Sequence, residues 1–491
     1  MEIAFLITPD NREELLNWDN HRKINHIDPS YSPIWVNDIR FSCVVSVIVL
    51  SAGEYMAIYN IKMPSGKYPG QYLPDHWALD YNPSLGELLD YGKYTTQTST
   101  KAVYRMDNGV DLVINGSSLK YASKNGTLNG GTISSLSLID HDTGATIQTV
   151  TGLKWSGASF YNTVNAGNSW YTAQVILSGN DTIKGSAGHD ELYGYAGNDT
   201  LIGGDGADNF IGGRGADTYD GGKSYDGVDQ LSYDDAYRDS AGAKGVVVDM
   251  QKGTATDPWG FKETFTGIER IKGTQFADKL YGSSGDDQFR PLGGADYVDG
   301  RGGIDTIRYD RDTQRDGNKG VTVDLSKGYG IDGFGAKDTL KNIENVVATI
   351  YNDKIIGSSA KNVLSGLDGN DRIYGGLGSD TLVGGAGKDT FVFDTKLGSS
   401  NIDKIEDFSA KDDTIWLDDD IFTKAGKVGD LSSAAFYAGT AAHDSSDRII
   451  YDKSSGKLFY DADGKGGAAA IQFAQLQKGL SITASDFDII G

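Results

Sequence analysis

The sequence predicts an all-β protein: a parallel β-roll, a solenoid of short repeats, with a β-rich region ahead of it. Aspartates recur every nine residues in three blocks, each followed two places later by an apolar or aromatic residue. Glycine crowds the positions before those aspartates, as in GYAGNDTLIGGDGADNFIGG at 194–213, a stretch without a single cation. Between 95 and 153 apolar and polar residues alternate instead between NG, GG and DTG turns, which reads as hairpins or as further solenoid rungs.

At 491 residues the chain exceeds one ordinary domain, so two or more units are expected. Residues 1–94 form an amino-terminal region of weak periodicity. The opening MEIAFLITPDNREELLNW lacks the cationic start, apolar run and small-residue cleavage site of a Sec signal. The most apolar run, FSCVVSVIVLSAG at 41–53, is too short to cross a bilayer and rich in β-branched residues, so it reads as a buried strand and no transmembrane span is expected. Cys43 is the only cysteine, which excludes an intrachain disulfide. Residues 95–174 are the β-rich segment and the candidate cargo domain.

The repeat blocks follow. In the first, 175–227, Asp181, Asp190, Asp199, Asp208 and Asp217 are followed by Ile183, Leu192, Leu201, Phe210 and Tyr219. In the second, 277–309, Asp278, Asp287, Asp296 and Asp305 are followed by Leu280, Phe289, Val298 and Ile307. In the third, 352–394, Asp353, Asn362, Asp371, Asp380 and Asp389 are followed by Ile355, Leu364, Ile373, Leu382 and Phe391. A flexible Gly/Asp linker has no reason to hold an apolar residue at a fixed offset, so the period is an architecture.

The unit is GGxGxDxUx, with U apolar. Its glycines turn the first six residues through positive φ and bring backbone carbonyls together, and its last three residues form a short strand with U inward. Two units make one turn of the coil. Asp190 and Asp208 then stack on one side, and Asp199 and Asp217 on the other. Stacked carboxylates repel unless a cation lies between them, and a hard ion taking six to eight oxygens fits: calcium, several ions per chain.

The candidate ligands in the first block are Gly188, Asp190, Gly197, Asp199, Gly204, Gly206, Asp208, Gly213, Gly215 and Asp217. The second block offers Asp278, Gly285, Asp287, Asp296 and Asp305, and the third Asp353, Gly369, Asp371, Gly376, Gly378, Asp380, Gly385, Gly387 and Asp389. Asn362 carries no charge, and Pro291 and Leu292 replace the glycine pair before Asp296; both departures weigh against an ion at those turns. The formal net charge of −23 agrees with a need for cations and excludes nucleic acid as a partner.

The spacers, 228–276 and 310–351, are duplicates. VDQLSYDDAYRDSAGAKGVVVDMQKG aligns with IDTIRYDRDTQRDGNKGVTVDLSKG, and FTGIERIKGTQFADKL with LKNIENVVATIYNDKI. GVVVDM and GVTVDL read as strands, so the spacers are expected to extend the edge of the solenoid. Gly328, Gly330 and Gly333 match GxGxxG without the strand, helix and acid of a nucleotide site.

Residues 395–491 change character: a DKIxDFxxxDDxIxL segment, a YDxxxGxLxYDxDGxG hairpin and the ending SITASDFDIIG. Together with the nonapeptides, this region resembles RTX proteins, specifically those whose carboxyl region is similar to the serralysin proteases. The resemblance implies export in one step by a type I ABC exporter, through an uncleaved signal in about the last fifty residues, and hence an extracellular location. Asp461 and Asp463 resemble the start of an EF-hand loop, but the terminal Glu is missing and a structural hairpin turn is expected.

The cargo is less legible. The chain contains no HExxH, and His21, His26, His76 and His141 lack zinc-ligand spacing, which excludes a serralysin-type protease; GxSxG and ExDxxE are absent too. The segment from Thr95 resembles amino-terminal parts of rhizobial secreted RTX proteins, a few of them exopolysaccharide-degrading. Two readings stand. One is a secreted calcium-binding protein associated with surface polysaccharide. The other is a polysaccharidase with Trp77, Tyr81, Tyr91 and Tyr94 stacking on sugars and acids drawn from Asp75, Asp80, Glu87 and Asp90.

Overall fold

A computed structural model of the chain describes residues 47–51, 54–59, 93–105, 110–122, 128–142, 144, 146–156, 179–185, 188–223, 227–237 and 240–491. Two compact units are present, Met1–Thr182 and Ile183–Gly491. The described residues form strands, turns and short 3₁₀ segments, and no helix among them is long and apolar enough to cross a membrane.

In the first unit, β1 (Val47–Ser51) and β2 (Glu54–Tyr59) form an antiparallel pair. The strand expected in 41–53 thus occupies its second half; the rest of that run lies outside the described residues. Strands β3 (Lys93–Gln97), β4 (Lys101–Arg105), β5 (Val110–Tyr121), β6 (Leu128–Asp140) and β7 (Thr146–Ser156) follow as an antiparallel meander. Of the two readings of this segment, hairpins are what form. Alternation decides the buried face: Ala102 and Tyr104 are buried while Lys101 and Arg105 are exposed, and Leu112, Ile114, Ile133 and Leu136 complete the apolar side.

The second unit is a roll of two parallel sheets, and the chain crosses from one to the other with each nonapeptide. One sheet carries Glu191–Tyr193, Asn209–Ile211, Gln288–Arg290, Thr306–Arg308, Val363–Asp368 and Thr381–Ala386; the other carries Thr200–Asp205, Thr218–Lys223, Lys279–Tyr281, Tyr297–Asp299, Lys354–Ile356, Arg372–Tyr374 and Thr390–Phe393. Pairing is in register between residues one turn apart: Leu192 with Phe210, Leu201 with Tyr219, Leu280 with Val298, Phe289 with Ile307, Ile355 with Ile373 and Leu364 with Leu382. These are the inward residues of each unit, and all are 0–1% exposed. Each contributes up to about 1.5–3 kcal/mol by burial, so the core is a column built one layer at a time.

The spacers do not lie at an edge. Val247–Asp249, Thr254–Thr256 and Lys262–Thr266 form three antiparallel strands where a regular turn would place one, and Thr322–Asp324, Tyr329–Ile331 and Lys337–Lys341 repeat the device. The first insert pairs parallel with Thr218–Lys223 on one border and with Lys279–Tyr281 on the other. Three strands, an odd number, restore the direction of the chain, so the parallel roll resumes without a break.

Beyond the third block both sheets continue. Asp403–Ile405 pairs with Thr381–Ala386 and with Ile471–Gln475, and Thr414–Asp418 pairs with Thr390–Phe393 and with the closing strand Phe487–Ile490. Here the aliphatic column gives way to rings: Phe393 and Phe422 each meet Phe473 edge-on at 5.1 Å. The expected hairpin is formed by Ile449–Asp452 and Lys457–Tyr460.

Candidate metal centre

Seven repeat aspartates each use one carboxylate oxygen to join their turn to the one before. The Oδ1 of Asp208 accepts the backbone N–H of Asp190 at 2.8 Å, that of Asp217 the N–H of Asp199 at 2.7 Å, that of Asp305 the N–H of Asp287 at 2.8 Å, and that of Asp389 the N–H of Asp371 at 2.9 Å. The same bond links Asp278 to Asp296, Asp353 to Asp371 and Asn362 to Asp380. The expected stacking on two sides is therefore a pair of hydrogen-bonded carboxylate ladders.

The ladders run past the nonapeptides. Asp208 donates its N–H to Asp229, Asp296 to Asp338, Asp305 to Glu344, Asp380 to Asp403 and Asp389 to Asp413, over 2.7–3.0 Å. Asp229 in turn donates to Glu269 at 3.0 Å. Sequence reasoning missed these six acids because they follow their partners by 21–42 residues, outside the regular count of the repeat. The usable signal was the offset: Leu231, Leu340, Val346, Ile405, Ile415 and Ile271 each follow their acid by two places.

In six repeats the second oxygen is left without a partner. The Oδ2 atoms of Asp208, Asp296, Asp305, Asp371, Asp380 and Asp389 are buried and meet no hydrogen-bond donor, in residues no more than 2% exposed. Apart from that of Asp296, where Pro291 stands in its place, each lies against the first glycine of its own unit. A Cβ on Gly384 would stand 2.5 Å from Asp389 Oδ2, and one on Gly375 2.9 Å from Asp380 Oδ2. A Cβ on Gly366 would collide with Asp371 Oδ2 and lie 2.7 Å from the Gly384 carbonyl oxygen, so carboxylate and carbonyl oxygens converge on a cradle that only glycine leaves open.

Burial pushes these carboxyls up. Asp208 and Asp305 rise to about 7 and Asp371 to about 8, burial being the largest cause and neighbouring carboxylates adding to it; Asp296 reaches about 10 for the same reasons. Asp380 and Asp389 rise to about 6, again chiefly through burial. Anionic oxygens left bare in a low-dielectric interior call for a cation. The donor set is all oxygen, from carboxylates and main-chain carbonyls, which selects a hard ion such as calcium.

Other expected ligands hold the turns at stacking distance. Gly206, Gly378 and Gly387 have φ of 118°, 132° and 150°, and a Cβ on Gly206 would lie 2.5 Å from the Gly188 carbonyl oxygen. Gly197, Gly204, Gly213, Gly215, Gly369, Gly376 and Gly385 also take positive φ, whereas Gly285 does not. In the doubted turn before Asp296, Leu292 adopts the left-handed backbone of the missing glycine, with φ 65°, and the ladder passes through unbroken.

A family model of the RTX calcium-binding nonapeptide repeat (4 copies) matches residues 177–210, 193–228, 263–298, 273–307 and 356–391. The blocks are RTX calcium-binding repeats. They bind calcium in multiple copies, as the oxygen cradles require. Among solved structures, the chain is similar to the AlgE6R3 subunit of the Azotobacter vinelandii mannuronan C5-epimerase: 19% identity, 28% of this chain and 77% of that one, TM-score 0.17. It is also similar to the extracellular lipase LipA of Serratia marcescens: 15% identity, 62% of this chain and 39% of that one, TM-score 0.16. No curated protein matches the chain.

Outside the RTX repeats, the expected site residues Asp75, Trp77, Asp80, Tyr81, Glu87, Asp90 and Tyr91 lie outside the described residues. Tyr94 is described and packs edge-on against Tyr104 at 5.0 Å within the meander. Asp461 and Asp463 form a turn, as expected: Asp461 Oδ1 accepts the N–H of Gly464, and Asp463 Oδ2 the N–H of Gly467. Gly330 of the GxGxxG match sits within a strand of the second insert.

Proposed function

We propose that this chain is an extracellular protein of the cell surface or polysaccharide matrix, exported by a type I ABC exporter, whose RTX roll folds on calcium outside the cell. The observation that carries the reading is the row of buried Oδ2 atoms without donors. In calcium-poor surroundings that row disfavours the roll, which keeps the chain unfolded as passage through a narrow exporter requires. Where calcium is abundant, ions bind the folded state alone and draw the equilibrium toward it, by about 2.7 kcal/mol per site at a hundredfold excess over Kd. The ions are held between turns by the carboxylates of Asp199, Asp208, Asp217, Asp296, Asp305, Asp371, Asp380 and Asp389 with glycine carbonyls, and calcium supplies the positive charge that the ladders lack.

The test is far-UV circular dichroism of the purified chain during a calcium titration, with magnesium as control. A cooperative, calcium-specific gain of β signal is expected. A β spectrum indifferent to calcium and to chelator would sink the folding switch and the export argument with it.

A further inference from the structure

The RTX turns are of two kinds, and the residue in the second position of the unit, four before the aspartate, separates them. In one kind that residue has positive φ: Gly204, Leu292, Arg301, Leu367, Gly376 and Gly385, at 65–119°. These precede six aspartates whose Oδ2 meets no donor; Gly213, at 85°, precedes Asp217, whose Oδ2 meets only the Tyr219 hydroxyl, at 3.4 Å. In the other kind the second residue is Ser or Thr, without positive φ, and it closes the carboxylate. Thr274 donates its N–H to Asp278 Oδ2 at 2.7 Å and its hydroxyl to Oδ1 at 2.8 Å. Ser283 does the same for Asp287 at 2.5 and 3.2 Å, and Thr349 for Asp353 at 2.8 and 2.9 Å. Ser358 donates its N–H to the side-chain oxygen of Asn362 at 2.7 Å, and beyond the third block Ser409 donates to Asp413 at 2.8 Å.

Two independent features follow the same division. The fourth position has positive φ in the open turns, at Gly206, Gly294, Gly303, Gly369, Gly378 and Gly387, and in none of the closed ones, at Phe276, Gly285, Tyr351, Ala360 and Lys411. The single nonapeptide aspartate replaced by Asn, at 362, falls in a closed turn, where the side-chain oxygen needs to accept the Ser358 N–H and not to balance an ion. The physical reason is direct. An N–H aimed at Oδ2 fills one of its lone pairs and sets a positive hydrogen where a cation would stand, which disfavours an ion on that oxygen.

We propose that the second residue sorts the turns: a left-handed residue leaves the turn open to calcium, while Ser or Thr satisfies it by hydrogen bonds alone, so that Asp278, Asp287, Asp353 and Asn362 hold no ion on that oxygen. The second and third blocks each begin with two closed turns, one per sheet, so each insert is followed by a layer that forms without metal. This rests on the calcium-driven folding proposed above, and refines which turns take part.

The test counts calcium ions bound per full-length chain, by equilibrium dialysis and elemental analysis, with circular dichroism to confirm folding. D287N is expected to bind as many ions as the unaltered chain and D389N fewer. S358G/N362D, which opens a closed turn, is expected to bind one more. Equal losses in D287N and D389N, or a folded S358G/N362D with no added ion, would overturn the sorting rule while leaving calcium binding intact. An unaltered chain that binds no calcium would overturn the proposed function itself.

Discussion

At the scale of the residue, one motif position shows what the roll demands of its backbone. Gly387 and Gly285 both fill the fourth place of a unit, yet only Gly387 has positive φ, and a Cβ there would collide with the Gly369 carbonyl oxygen. A Cβ on Gly285 would meet nothing nearer than Ser283 Oγ at 3.5 Å. An L-residue in left-handed backbone costs about 1–2 kcal/mol before any clash, whereas a substitution free of such features usually changes stability by less than about 0.5 kcal/mol. Gly387→Ala should therefore lower the melting temperature of the calcium-loaded protein clearly, and Gly285→Ala should leave it within a degree or two. Equal losses in the two variants would mean that the two kinds of turn do not differ in backbone. Where the second position carries a non-glycine, side-chain contacts offset the strain: Arg301 reaches Asp249 at 2.8 Å and the Gly282 carbonyl at 2.7 Å.

At the scale of the element, the two inserts are tied to each other across the second block. Asp234, in the first, receives the guanidinium of Arg315, in the second, at 2.5 and 2.6 Å, as well as the Lys272 ammonium. Burial raises the Asp234 carboxyl, but Lys272 and Arg315 outweigh it and hold the group below its ordinary value of 3.8. That depressed value stabilises the fold above the unfolded pKa, and the contribution is lost as pH falls through the lower folded one. Arg315→Leu should cost about 1–3 kcal/mol, the value of charge-assisted hydrogen bonds lost from a buried carboxylate, and should reduce the loss of stability on acidification below pH 4. Chemical denaturation of calcium-loaded protein at pH 7 and at pH 3.5 would measure both; an unchanged midpoint at pH 7 would show the tie to be idle. This tie was illegible in the sequence because it joins residues 81 apart. The blocks were legible because a fixed period needs no knowledge of the path. The acids at Asp229 and Asp338 were not, since they stand 21 and 42 residues after their partners, the first shifted by a longer loop ahead of the first insert and the second by the path of the second insert. The two doubted turns differ from each other in structure, with left-handed backbone at Leu292 and a serine donor beside Asn362, and neither is a property of the motif.

At the scale of the whole molecule, a net charge of −23 and two ladders of carboxylates make the calcium-free roll a proton-dependent object. Burial foremost, then neighbouring acids, raise Asp208 and Asp305 to about 7 and Asp371 and Asp403 to about 8. The unfolded chain releases the same protons near 3.8. Between about pH 4 and pH 8 the metal-free folded state thus binds more protons than the unfolded state, so its stability falls as pH rises through that window. Calcium removes this dependence by balancing the carboxylates in their ionised form. In chelator, the chain should hold more β structure at about pH 5.5 than at pH 8, and calcium should restore at pH 8 what the loss of protons removed. Far-UV circular dichroism at the two pH values, with chelator and then with calcium, reads both effects in one series. More β signal at pH 8 than at pH 5.5 in chelator would show that the buried acids are not what opposes folding, and the ladders would then have to be stabilised by something other than charge balance.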